Sequence, residues 1–425
     1  MRIEEMTKPE LEAWGLELKK EYENYKAKNL KLNMARGKPS DAQLDLSVGM
    51  LNILNGDYIA SDGTDVRNYG LLEGIPEARK LFADILGTTA DNVIIGGNSS
   101  LNIMFDTVSR AMFNGVLPGS TPWIKQGEIK FLCPSPGYDR HFTICEYFGI
   151  EMITIDMLSD GPDMDQVKSL VAADAAIKGI WCVPMYSNPE GITYSDAVVS
   201  RLAGMKTAAP DFRIFWDNAY CLHHLDKNDK DKLLNIYNVC KEMGNEDRVY
   251  MFSSTSKVTF PGAGISAIAA SSANIAHTKN QLAAQTISYN KIDQMAHCKF
   301  LRDIHGVNAH MEKHAVILKP KFDAVASILS KELADLGCAS WTNPKGGYFI
   351  SLNTLDGCAK RVVQLCKEVG VVLTGAGATY PYGKDPRDRN IRIAPSFPPL
   401  AELVMAMELL CLCVKMASVE KLLVS

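Results

Sequence analysis

The stretch Ile214-Phe215-Trp216-Asp217-Asn218-Ala219-Tyr220 places a carboxylate directly after a short apolar run and a phenol three residues beyond it. Arg213 to Trp216 reads as a buried strand, because it is short, aromatic and β-branched and carries no helical spacing. A carboxylate at the end of such a strand needs a partner, since an unpaired buried charge is expensive. Either a helix N-terminus or a cationic ligand group can supply one, and a protonated pyridine nitrogen would serve.

Working outward, further β-rich runs occur at Val93 to Ile95, Ile129 to Cys133, Glu151 to Ile155, Gly179 to Val183, Arg248 to Phe252 and Ile265 to Ala270. Helical stretches separate most of them. This alternation predicts an α/β fold, with a large domain built on a mostly parallel seven-stranded sheet covered by helices. After about Lys319 the pattern becomes a helix, a strand near Tyr348 to Leu352, another helix, strands at Val371 to Leu373 and Ile391 to Ile393, and a final helix. That reads as a smaller α+β domain. The expected division is 1–45 for an N-terminal helix and arm joined to the small domain, 46–319 for the large domain and 320–425 for the small one. Lys8 to Lys31 has the charge content of a surface helix, and Asn33 to Asp45 that of an irregular arm.

Bulk properties narrow the function. The chain has 425 residues, 47% of them hydrophobic, and a net charge of -4 without like-charge blocks. It offers no basic stripe for nucleic acid and no polybasic membrane anchor. Charges interrupt the N-terminus, so no signal-peptide core forms there. Leu400 to Val414 is broken by Glu402 and Glu408 and is shorter than the roughly 20 residues of a spanning helix, which makes it a core helix. Eleven scattered cysteines lack CxxC or metal-ligand spacing and fit free thiols in a cytoplasmic protein. Cys411 and Cys413 read as packing residues.

In open α/β sheets ligands gather beyond the carboxyl ends of the strands, and three more ends carry unusual residues. Gly96-Gly97-Asn98-Ser99-Ser100-Leu101 runs from a strand into a helix whose free N–H groups and dipole favour a phosphate, although Asn and Ser are also ordinary N-caps. It is not the dinucleotide fingerprint, which needs a third glycine. Tyr186-Ser187-Asn188-Pro189-Glu190-Gly191 has the composition of a turn. Ser253-Ser254-Thr255-Ser256-Lys257 brings an amine to a strand end among hydroxyls, which suits a Schiff-base nucleophile beside a phosphate. Each has a bland reading alone; their order along the chain does not.

In that order and spacing the chain resembles the aspartate aminotransferase superfamily, the fold-type-I pyridoxal-phosphate enzymes, from about Asn33 onward. The resemblance implies pyridoxal 5'-phosphate carried on Lys257, with Asp217 on its ring nitrogen and Asn188 and Tyr220 on its phenolate oxygen. It also implies Tyr138, in Pro136-Gly137-Tyr138, stacked on the ring, and a phosphate held by Asn98, Ser99, Ser100, Ser254 and Ser256. Tyr69, in Asn68-Tyr69-Gly70, is similar to the tyrosine that reaches the neighbouring subunit's phosphate, so a homodimer with shared sites is implied. Arg392, in Asn390-Ile391-Arg392-Ile393-Ala394, resembles the arginine that grips the substrate α-carboxylate, a task suited to a planar fork.

Two positions depart from the pattern. The family places an arginine about eight residues after the lysine, where this chain has Gly264-Ile265. Its arm, Ala35-Arg36-Gly37-Lys38-Pro39-Ser40, is more basic than usual and resembles that of a divergent bacterial aspartate aminotransferase subgroup. The expected partners are amino acids and 2-oxo acids, with aspartate and 2-oxoglutarate leading. Arg36, Lys38, Arg140 and Lys291 are candidates for a second carboxylate, Arg36 being preferred, with Gly37 beside it. An aromatic or kynurenine-type aminotransferase is the alternative, as is a lyase or decarboxylase using the same cofactor. A cofactor-binding sensor fused to a DNA-binding module is disfavoured, because only about thirty residues precede the arm.

Overall fold

The computed structural model describes residues 2–424. Its strands are β1 (Leu32–Asn33), β2 (Val93–Ile95), β3 (Lys130–Ser135), β4 (Glu151–Leu158), β5 (Gly161–Pro162), β6 (Ile177–Cys182), β7 (Arg213–Asp217), β8 (Val249–Ser254), β9 (Ser266–Ala269), β10 (Ala339–Trp341), β11 (Ile350–Thr354), β12 (Val371–Val372) and β13 (Asn390–Ile393). The main sheet has eight strands in the order β2-β9-β8-β7-β6-β3-β4-β5. One more strand is present than expected: β5 is two residues long, too short to display any period, and exists only by pairing with the end of β4.

The α/β character follows from burial on both faces. β6 and β7 are buried at every position, as expected for parallel strands covered by helices. The pleat splits their side chains, with Ile214 and Trp216 in one apolar cluster and Phe215 in the other. β8, β7, β6, β3 and β4 pair in parallel. β9 is antiparallel to both β8 and β2, so β2 again runs parallel to β8. The carboxyl ends of β2, β8, β7, β6 and β3 therefore lie along one edge of the sheet, and the loops that follow them meet there.

A second body forms around the antiparallel sheet β10-β11-β13. The arm enters it as β1, pairing in parallel with β12. Helix Lys8–Lys26 buries Leu11, Leu18 and Tyr22 and packs on the C-terminal helix. That last helix runs from Leu400 to Val424, further than its most apolar stretch. Residues 409–414 of it are buried at every position because helices 8–26, 304–333 and 359–368 pack on it. Helix Ile304–Leu333 spans both bodies: Val307 and Met311 join the large-sheet core, whereas Phe322, Val325 and Leu329 join the other. The expected boundary at 319/320 falls inside this helix. All eleven cysteines are free. No described helix is long and apolar enough to cross a membrane.

Candidate active site

The register of β7 against β8 pairs Asp217 with Phe252, so the carboxylate and the start of the Ser253–Lys257 segment emerge side by side. A cavity of about 180 Å³ opens above them, lined by Ser99, Ser100, Leu101, Tyr138, Val183, Asn188, Asp217, Ala219, Tyr220, Ser254, Ser256 and Lys257. Five separate loops converge on it, one from each strand end identified above.

At the floor, Asp217 is 2% exposed. Its Oδ2 accepts from His141 Nε2 at 3.1 Å, while Oδ1 has no partner. His141 is in turn stacked on Trp181, with ring centroids 4.4 Å apart. A buried carboxylate oxygen facing a cavity without a donor calls for an N–H on whatever fills it. Ser99, also on the cavity wall, stands at the N-cap position of helix Ser100–Asn114 without a side-chain capping bond, and that helix has no acidic residue in its first turn. Ser254 Oγ and Ser256 Oγ lie 3.0 Å apart, and Ser256 Oγ donates to Asn98 O at 3.4 Å. Hydroxyls and free helix N–H groups form an anion seat.

Lys257 lines the same cavity, its Nζ 5.0 Å from the Tyr220 ring centre and 5.9 Å from that of Tyr348. Burial lowers its pKa; the Asp217 charge opposes this and the Arg392 charge assists it. The amine is thus nearer to its nucleophilic form than a solvated lysine. Burial, reinforced by the charges of Asp217 and Asp139, pushes the Tyr138 phenol up to about 12. Tyr220 is also raised well above its ordinary value, mainly by burial, so both phenols stay protonated donors at neutral pH.

Arg392 on β13 is 7% exposed and reaches across from the second body. Its Nη1 donates to Asp139 Oδ1 and Asn188 Oδ1, both at 3.2 Å, and Nη2 to Thr374 Oγ1 at 3.3 Å. Nε has no partner. Thr374 Oγ1 in turn donates to Ala35 O at 2.6 Å, which brings the arm alongside. Gly37 lets the arm pass close there, because a Cβ would lie 2.4 Å from the Phe349 ring and force it to move. That ring sits 4.9 Å from the Arg392 guanidinium carbon.

Other expected residues lie further out. Asn98 is exposed and contributes its carbonyl rather than its side chain. Tyr69 is 78% exposed and does not line the cavity of its own chain. Arg36, Lys38 and Arg140 are exposed, with Lys38 Nζ 3.9 Å from the Phe397 ring centre. Lys291 is buried, donating to Ser288 Oγ at 3.2 Å, and is not part of the wall. Ile265, where an arginine would be usual, is 2% exposed in the core. Its backbone exchanges hydrogen bonds with Thr255, so no cation occupies that position. Sequence reasoning missed His141, Asp139, Thr374, Tyr348 and Phe349. His141 had one usable signal: it stands three residues after Tyr138, one turn into helix Asp139–Tyr147.

Comparison with known proteins follows the same lines. Residues 6–425 match the family model described as aspartate amino-transferase. An aspartate aminotransferase of Corynebacterium glutamicum is 47% identical over 95% of this chain and 93% of its own. The crystal structure of an aspartate transaminase from the same organism superposes with a TM-score of 0.97 at 45% identity, covering 99% of both chains. A kynurenine aminotransferase of Pyrococcus horikoshii, solved with PMP, shares the fold at 18% identity, with a TM-score of 0.75 over 91% of this chain and 92% of the other.

Proposed function

The chain belongs to the aspartate amino-transferase family and is an aminotransferase, and we propose that it uses pyridoxal 5'-phosphate to move the amino group of L-aspartate to 2-oxoglutarate, giving oxaloacetate and L-glutamate. The observation that carries the cofactor is the chemistry of the cavity. An unpaired buried carboxylate oxygen, the hydroxyl-bearing start of a helix and a lysine amine line the same cavity. A flat cationic ring that bears an aldehyde and a phosphate fits all three.

When bound, pyridoxal phosphate supplies the electron-accepting ring that takes up the charge released at the substrate's Cα. Asp217, whose Oδ1 is unpaired, would favour a protonated ring nitrogen, and His141 holds Asp217 in place through Oδ2. Asn188, Tyr220 and Tyr138, which line the same cavity, would hold the cofactor's ring. Ser99, Ser100, Ser254, Ser256 and the Asn98 segment bind the phosphate. Lys257 would hold the cofactor through its Nζ, and that amine is the group placed to take a proton from the substrate's Cα. Arg392 orients the substrate α-carboxylate through its fork. Arg36, on the arm that Gly37 lets approach Phe349, receives the side-chain carboxylate.

Tyr69, exposed on this chain, completes the phosphate seat of a second copy, which makes the functional unit a homodimer. The free cysteines suit a reducing compartment such as the cytosol, where we place the protein.

The test mixes the loaded protein with single amino acids and follows loss of the cofactor's visible absorbance. Aspartate and glutamate are expected to bleach it without ammonia release. Bleaching by aromatic amino acids alone would move the assignment to the aromatic or kynurenine type, and ammonia release to a lyase. Covalently attached cofactor in Lys257→Ala would sink the central assignment.

A further inference from the structure

The turn that carries Lys257 is held from beneath by imidazoles that the reaction does not use. His223 Nε2 lies 3.3 Å from Lys257 O, and His310 Nε2 and His314 Nε2 lie 2.8 and 3.0 Å from Val258 O. A carbonyl only accepts, so these contacts need the proton on Nε2 of each ring. The 3.2 Å between His310 Nε2 and His314 Nε2 is then an approach of two donors that share Val258 O, not a hydrogen bond between them. In a neutral ring Nδ1 is then an acceptor. His314 Nδ1 lies 3.1 Å from Gln43 Nε2, which also donates to Tyr348 OH at 2.8 Å. The amide cannot be turned over, because Gln43 Oε1 accepts from Ser40 N at 3.1 Å. Gln43 is fully buried on the arm, just beyond Arg36 and Gly37.

The chain Ser40, Gln43, His314, Val258 O thus has one consistent donor pattern and ends on the carbonyl next to Lys257. We propose that Gln43 and His314 are positioning residues for Lys257: Gln43 selects the neutral Nε2–H form of His314, which with His310 fixes the 257–258 backbone and so the direction of the amine. The inference rests on the reading of Lys257 as the cofactor-bearing lysine. It makes the substrate-side arm and the lysine parts of one hydrogen-bonded unit, although 214 residues (257 − 43) separate them.

The surroundings agree. Burial holds His314 down to about 4, assisted by His310, and lowers His310 as well. The other titratable groups facing the network are His223, which feels the charge of Lys257, Lys313 acting on His310, and the protonated phenol of Tyr348. None of these is a carboxylate, so nothing nearby would compensate a proton on His314.

Gln43→Glu tests this, because a carboxylate cannot donate to His314 Nδ1, and only a doubly protonated ring can donate to that carboxylate and to Val258 O at once. In the full-length loaded protein, nitrogen-15 NMR of the histidines is expected to show neutral His314 at pH 7 in the parent and an imidazolium in Q43E. The pH midpoint of the bound cofactor's absorbance is expected to move by about half a unit, threefold in the equilibrium, or more. His314→Gln, whose amide can donate to Val258 O and accept from Gln43, should keep the parental midpoint, whereas His314→Leu should shift it; this pair carries the test if Q43E does not fold. Parental midpoints in both Q43E and H314L, with only their melting temperatures lowered, would overturn the proposal. Borohydride reduction that leaves the cofactor on a lysine other than Lys257 would instead overturn the reading beneath it, with the His314 signature intact.

Discussion

Acid should loosen the Lys257 turn through His297, and the structure sets how much. His297 Nδ1 lies 2.7 Å from Asp293 O, so it carries the proton. Nε2 is then bare and accepts from Thr255 Oγ1 at 3.0 Å and Thr259 Oγ1 at 2.7 Å. These two hydroxyls bracket Lys257. Burial holds His297 at about 4, against an ordinary 6.5. The folded state therefore resists a proton that the unfolded state accepts. Stability is whole above the unfolded value and declines as pH falls from about 6.5 toward 4. The shift of 2.5 units (6.5 − 4) corresponds to about 3 kcal/mol once both states are titrated, of which about 2 kcal/mol is already lost at pH 5. The assay is urea unfolding of the parent and of His297→Gln at pH 7.5 and pH 5. The variant should be the less stable at pH 7.5, because it loses buried hydrogen bonds. Having no imidazole to protonate, it should close that gap by about 2 kcal/mol at pH 5. A gap of the same size at both pH values would refute the reasoning.

Arg392→Lys keeps the charge but loses the fork and the bonds to Asn188 and Thr374, and should lower kcat/KM by about 30- to 1,000-fold, mostly through KM; steady-state kinetics with an unchanged KM would contradict the role. His141→Leu strips Asp217 of its remaining partner. It should cost roughly 1–3 kcal/mol in the cofactor-free protein and weaken pyridoxal phosphate binding by about tenfold or more, read by melting and by cofactor titration. Gly37→Ala forces the Phe349 ring away from a Cβ at 2.4 Å and should raise substrate KM at a stability cost of about 1–3 kcal/mol. Parental kinetics in that variant would show that Phe349 can yield without disturbing Arg392.

Much of this site could be read without coordinates, because its signals are local. An apolar run followed at once by Asp217, a hydroxyl-rich run ending in Lys257 and a glycine-led helix start at Ser99 are each confined to a few residues. Strand and helix periods place such residues at element ends. The length of β4, the two-residue β5 and the far end of the C-terminal helix were not legible, since their extent depends on what pairs with or covers them.

What only the tertiary structure decided is which ends meet. His141 finds Asp217 76 residues away, Thr374 finds Ala35 339 residues away and His314 finds Gln43 271 residues away. These pairings follow from the strand order β2-β9-β8-β7-β6-β3-β4-β5 and from a small body that folds the chain's two ends together. The sequence by itself determined the chemistry available at each strand end, because residue type and local period are properties of neighbours along the chain. The assembly of those ends into one cavity, and the loss of the usual arginine position to the core at Ile265, depended on packing between segments that no local pattern connects.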